Sequence, residues 1–300
     1  KKGIKEKEIV QDTVGLKGEN QFILFTALKN NHYLTGSSRS QKYQLLYTLS
    51  LPPDTMKFEF SIPGAADDSY ILERSINKDT LKIWLADSAL FSQPLLTTFV
   101  KYPFTDTLGN VGNKGDTILM RFVMPRVPKG IKVTKTKFSF ETNIRNSIMK
   151  PGQNIVLKSQ TPFIQPDTSR IRLFQQLDST KIRIPFTLIR DSMNSCRYFL
   201  NASLLPAKKY LFIADSASFG NLYNENTDST GIKFSVREVE SYCKLTLNID
   251  SVKGNCIIQL LNDKEKLVSE SYIKEDGKVV FPLLESGAYR IRAIFDLNGD

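Results

Sequence analysis

Short runs of alternating apolar and polar residues, each about four to seven residues long and bounded by Gly, Pro, Asn or Asp, recur along the whole chain. Phe58, Phe60 and Ile62 follow the turn Leu51-Pro52-Pro53, and Leu81, Ile83 and Leu85 surround Trp84. Phe138 and Phe140, then Ile232, Phe234 and Val236, then Leu245, Leu247 and Ile249, and finally Tyr289, Ile291, Ala293 and Phe295 keep the same rhythm. A period of two sends alternate side chains to opposite faces of a strand, so each run offers one face to a core and one to water. Runs this short and this often interrupted predict stacked antiparallel sheets, an all-β chain. Only residues 1 to 10, rich in Lys and Glu, and the turn from Ser88 to Ser92 read as helical.

A second regularity sits in the turns. Asp, then Ser or Thr, then Ala, Ile, Leu, Val, Met or Thr occurs eleven times, starting at Asp12, Asp54, Asp79, Asp87, Asp106, Asp116, Asp178, Asp191, Asp215, Asp228 and Asp250. Ordinary residue usage gives on the order of one or two such triplets. One cause is structural: Asp and the hydroxyl close a turn on their own backbone, and the third residue opens the next strand. The triplet also resembles the acceptor sequence for O-glycosylation of exported proteins of the Bacteroidota. That resemblance makes Thr13, Thr55, Thr80, Ser88, Thr107, Thr117, Ser179, Ser192, Ser216, Ser229 and Ser251 candidate glycan carriers.

Three hundred residues accommodate two or three cores of roughly 100 residues each. Pro125 and Pro128 place one boundary near residue 127, and the charged stretch Arg237-Glu238-Val239-Glu240 places another near Val239. Three units are expected, over residues 1–126, 127–239 and 240–300. The formal charge of +10 is spread along the chain without an aromatic-lined basic motif, which argues for solvated faces and against a nucleic-acid groove. Three cysteines, Cys196, Cys243 and Cys256, are too few and too far apart for a disulfide framework or a paired-Cys metal site. No stretch approaches about 20 apolar residues, so no helix is expected to span a membrane. Without an initiator Met at Lys1, and with an unclosed loop at Asp300, the chain reads as a segment of a longer exported precursor.

The middle unit carries a recognisable order of segments. Gly152-Gln153-Asn154-Ile155-Val156-Leu157 precedes Thr161-Pro162-Phe163-Ile164, Leu204-Leu205-Pro206-Ala207-Lys208-Lys209-Tyr210 and Phe219-Gly220-Asn221. This order resembles a bacterial Ig-like domain of the SbsA type. The first unit, in Ser69-Tyr70-Ile71-Leu72-Glu73-Arg74, Leu81-Lys82-Ile83-Trp84-Leu85 and Thr105-Asp106-Thr107-Leu108-Gly109-Asn110, is similar in style to the preceding domain of Bacteroidota surface lipoproteins. The last unit has Asp276-Gly277 as a hairpin turn and then Phe281 to Ala293, and it resembles the carboxypeptidase-regulatory or prealbumin-like β-sandwich. The resemblance implies tandem Ig-like β-sandwich domains at the outer surface of a bacterial outer membrane, held by a lipid anchor. No Cys here stands where such an anchor attaches, so lipidation follows from the resemblance alone.

Catalytic chemistry has few candidates. His32 is the one histidine, and it sits in a polar turn with no nucleophile elbow in the sequence. Phosphate loops and zinc motifs are absent. A carboxylate pair could in principle serve a glycosidase, but most acids stand in the Asp-Ser/Thr turns. No cofactor is expected beyond a possible Ca²⁺ on Asp296, Asn298 and Asp300, whose alternating oxygens could converge in a tight loop; an Asn-Gly turn explains the same residues. Trp84 reads as a core residue rather than a sugar platform, while Tyr43, Tyr47, Tyr223 and Tyr272 could line a carbohydrate or protein surface. The expected function is a non-catalytic surface protein with an outer-membrane or surface protein as partner. The alternative is a carbohydrate-binding or adhesion module of a glycan-uptake system.

Overall fold

The computed structural model describes residues 31–53, 58–124, 137–178, 180–252 and 254–295. They form tandem Ig-like β-sandwiches, with one short helix.

The first sandwich comprises β1 (Leu34–Gln41), β2 (Gln44–Leu49), β3 (Glu59–Ser61), β4 (Tyr70–Arg74), β5 (Thr80–Leu85), α1 (Ser88–Phe91), β6 (Leu95–Thr105) and β7 (Val111–Arg121). Sheet β1-β2-β5-β4 faces sheet β3-β6-β7, and all pairs are antiparallel. Leu45, Tyr47, Leu81, Ile83 and Leu85 from one sheet close against Leu96, Val100, Tyr102 and Met120 from the other. Tyr47 is fully buried and shares a 2.7 Å hydrogen bond with Thr98 Oγ1, which satisfies its hydroxyl. Because Ile83 points into this core, alternation along β5 turns Trp84 to the opposite face.

The second sandwich contains β8 (Phe140–Thr142), β9 (Ile148–Met149), β10 (Ile155–Ser159), β11 (Ile171–Gln176), β12 (Lys181–Arg183), β13 (Phe186–Arg190), β14 (Arg197–Ala202), β15 (Lys209–Ala214) and β16 (Thr230–Val236). Its sheets are ordered β13-β14-β10-β8 and β12-β11-β15-β16-β9, with β9 joining β16 in parallel. That is the Ig order, D-E-B-A against a C–F–G sheet that carries an extra strand at each edge, β12 beside β11 and β9 beside β16. The Leu-Pro-x-x-x-Tyr segment has a clear mechanical role here. The hydroxyl of Tyr210, at the start of β15, accepts a 2.7 Å hydrogen bond from Leu205 N–H across the corner between β14 and β15. This is a tyrosine corner, a recurrent Ig device. Tyr210→Phe leaves the Leu205 amide unpaired and is expected to lower stability by about 1–3 kcal/mol. The readout is a lower urea midpoint at unchanged slope; an unchanged midpoint would show that the corner contributes nothing.

The third sandwich comprises β17 (Cys243–Ile249), β18 (Cys256–Asn262), β19 (Leu267–Ile273), β20 (Gly277–Leu284) and β21 (Tyr289–Phe295). Sheet β17-β20 faces sheet β19-β18-β21 over Ile258, Leu260, Val279 and Phe281. The expectation of a hairpin at Asp276-Gly277 is corrected. β19 and β20 belong to opposite sheets, so the bend switches sheets and joins no pair. Asp276 Oδ1 accepts from Val252 N at 2.6 Å and ties the bend to the loop that follows β17.

Candidate functional site: the seam between the first two sandwiches

The seam begins at Arg39. This arginine is 5% exposed, and its guanidinium donates to the carbonyls of Gln93 (2.8 Å), Lys42 (3.1 Å) and Phe91 (3.2 Å). Those bonds tie α1 to the bend between β1 and β2, and so set Tyr43 beside Phe91 with centroids 4.8 Å apart, edge to face. The second sandwich answers with the loop at Asn221. Its side-chain oxygen accepts from Tyr223 N (3.0 Å) and Glu225 N (2.9 Å), while its amide nitrogen donates to Thr161 Oγ1 and Glu225 Oε2. Fixed in this way, Tyr223 stacks on Tyr43 at 3.9 Å and 22°, and meets Phe91 edge-on at 5.7 Å. Burial pushes both phenols above their ordinary range, with Glu225 adding to the effect on Tyr43.

A polar latch lies further along. Glu73 in β4 is 9% exposed, and its Oε1 accepts from Ser195 N at 2.6 Å and from the Ser195 hydroxyl. Asn194 Oδ1 accepts from Cys196 N at 3.0 Å, which shapes the turn that presents Ser195. Beside the latch, Trp84 borders a cavity of 180 Å³ together with Lys158, Ser159, Cys196 and Arg197 of the second sandwich, and the Lys82 ammonium lies 5.7 Å from its ring. Trp84 is buried, as the sequence predicts, but it lies against the neighbouring sandwich and not in its own core.

All three cysteines are free; Cys196 and Cys256 are buried and Cys243 is exposed. Burial, with the Glu73 charge adding to it, pushes the Cys196 thiol up to about 12. Since the thiolate is the nucleophile, iodoacetamide at about pH 8 is expected to modify Cys243 alone in the folded chain. Modification of Cys196 at a comparable rate, followed by peptide mass spectrometry, would mean that the seam opens.

The surface expected from four tyrosines does not form. Tyr47 lies in a core, and Tyr43 and Tyr223 cover each other because stacking removes more apolar area from water than either ring would alone. Of the four, Tyr272 stands open, at 69% exposure. His32 bonds through its backbone to Thr105, at 2.8 Å in each direction. Among the triplets, Asp87, Asp106 and Asp191 close turns, their Oδ1 atoms accepting from Ala89, Leu108 and Met193 N at 2.8, 2.9 and 2.8 Å. Asp79 holds the Thr80 hydroxyl at 3.0 Å, and β5 begins there. Asp116-Thr117 departs from the turn reading: it lies within β7, where Asp116 accepts from the Tyr102 hydroxyl. Ser88, Thr107, Thr117, Ser192, Ser216, Ser229 and Ser251 are exposed, and Thr80 is half-buried. Thr13, Thr55 and Ser179, like the proposed Ca²⁺ ligands Asp296, Asn298 and Asp300, lie outside the described residues. Nothing local marks the roles of Arg39, Glu73 or Ser195, which depend mostly on partners far away in the chain.

No family description and no curated protein matches this chain. Solved structures with some likeness include the native alpha-2-macroglobulin of Escherichia coli, domains MG0-NIE-MG1, at 13% identity, covering 89% of this chain and 97% of that one with a TM-score of 0.27. Domains 1–6 of the surface layer protein SbsC share 14% identity, with 88% and 32% covered and a TM-score of 0.33. A Bacteroides ovatus protein, SGBP-B of a mixed-linkage glucan utilization locus, solved with a heptasaccharide, shares 11% identity, with 86% and 68% covered and a TM-score of 0.22. Superpositions this loose assign neither a site nor an activity.

Proposed function

We propose that this chain is a non-catalytic, exported structural and interaction protein of the bacterial outer surface, an accessory lipoprotein subunit docked on an outer-membrane protein complex. In this reading residues 1–126, 127–239 and 240–300 are three modules in series. The observation that carries it is the seam. The residues with the most chemical promise, Tyr43, Glu73, Trp84, Cys196 and Tyr223, are spent on joining two sandwiches. Asp191, the other acid there, is engaged by Arg197 at 3.2 Å. A joint of this kind fixes the angle between modules, which suits a protein that sets distance and presents faces. Surface placement and lipidation draw their support from the sequence resemblance, as does glycosylation, which the exposure of most triplet hydroxyls favours. Intact mass of natively produced protein should exceed that of the polypeptide if the hydroxyls are modified.

The test is affinity purification of the tagged protein from native outer membranes, followed by mass spectrometry. Stoichiometric recovery with a membrane barrel supports the accessory-subunit reading. Recovery alone, together with binding on a glycan array, would replace it with a carbohydrate-binding module.

A further inference from the structure

A cleft of 640 Å³ runs along the outside of the seam, walled by Leu72 and Arg74 of β4 and by Arg190, Ser192 and Met193 at the end of β13 and in the turn beyond it. We propose that it is a docking groove for an extended, acidic segment of a partner protein. Both walls are strand ends at open edges: β4 ends the sheet β1-β2-β5-β4, and β13 ends the sheet β13-β14-β10-β8. An open edge offers unpaired backbone N–H and C=O groups to an incoming strand, and alternate side chains of that strand then meet whatever lies beside it. Leu72 and Met193, 37% and 46% exposed, supply apolar contact on either wall.

Charge selects the occupant. The acids of the cleft are already occupied, Glu73 by Ser195 and Asp191 by Arg197 and the Met193 amide. Among the described residues neither Arg74 nor Arg190 has a carboxylate partner; Arg74 makes only a 3.3 Å bond to the Phe58 carbonyl. The adjoining 260 Å³ hollow adds Lys82 and extends the basic wall. Two guanidinium groups without carboxylate partners in a groove recognise carboxylates in preference to neutral groups. Among the described residues, the cleft is walled by no aromatic ring on which a sugar could stack. A second copy of this chain is disfavoured by its +10 charge.

This inference rests on the reading of the chain as an interaction protein. The test pans a random decapeptide library displayed on phage against the full chain, and against Arg74→Glu/Arg190→Glu. Enriched peptides should alternate Asp or Glu with apolar residues, and the double variant should bind the best of them at least tenfold more weakly. Arg74→Gln/Arg190→Gln, the milder change, should give a smaller loss in the same direction and serves if the first variant does not fold. Enrichment without acidic residues, unaltered binding by the variants, or no enrichment at all would overturn the groove. If the same variants still co-purify with a native membrane partner, the groove alone fails; if the wild type captures none, the interaction reading fails with it.

Discussion

Tyr223→Ala should separate the unfolding of the first two sandwiches. In the wild type, the seam couples them through the Tyr43–Tyr223 stack, the two edge contacts of Phe91, and the Glu73–Ser195 latch. Each aromatic pair contributes about 0.5–1.5 kcal/mol beyond its area burial. Losing two of them with the buried ring removes about 2–4 kcal/mol, a figure that includes part of the large-to-small penalty of a core site. Nearly all of that loss falls on the joint, because Tyr223 belongs to neither core cluster. Differential scanning calorimetry should therefore resolve one joint transition of these sandwiches into two. Tyr272→Ala is the control: its ring is exposed and its hydroxyl bonds Glu270 at the surface, so its effect should stay within about 0.5 kcal/mol. A single undisturbed transition in Tyr223→Ala would show that the stack does not hold the seam.

The second large effect lies inside the neighbouring core. Phe163 is 2% exposed and packs on Phe138, Tyr198 and Phe219 at centroid distances of 5.5, 5.4 and 5.7 Å. Phe163→Ala should cost about 3–5 kcal/mol, much of the total stability of a domain whose reserve is about 5–15 kcal/mol. Phe163 N–H also donates to the Ser195 carbonyl at 3.0 Å, and Ser195 is the residue that Glu73 holds. The cavity should therefore loosen the latch as well as the core. In urea unfolding the second sandwich should melt first, and Cys196 should become reactive well below the midpoint of the first sandwich. A destabilised core with Cys196 still protected would mean that latch and core are independent.

These residues also show what a linear reading reaches. The strand faces around Leu81, Ile83 and Leu85 were legible because a period of two is a local property, and the same holds for the Asx turns at Asp87, Asp106 and Asp191. The Leu-Pro-x-x-x-Tyr segment was legible as a motif, though its hydroxyl's partner was not. Periodicity says that Trp84 lies opposite Ile83, but not that another sandwich covers that face. It likewise puts Tyr47 on one side of β2 without saying which side is the core. Asp276-Gly277 has ideal hairpin chemistry, yet the pairing of β20 with β17 is non-local and overrides it. Glu73 resembles any polar residue at a strand end until Ser195, more than a hundred residues away, is brought to it.

The seam should hold the first two sandwiches at one angle. Nitroxide labels on Thr107→Cys in the first sandwich and Ser229→Cys in the second, in a Cys243→Ser background with Cys196 and Cys256 buried, measure it directly. Pulsed electron–electron double resonance should return a single narrow distance distribution that broadens in Tyr223→Ala. A broad distribution in the otherwise wild-type chain would mean that the two sandwiches swing freely and that the seam does not hold them.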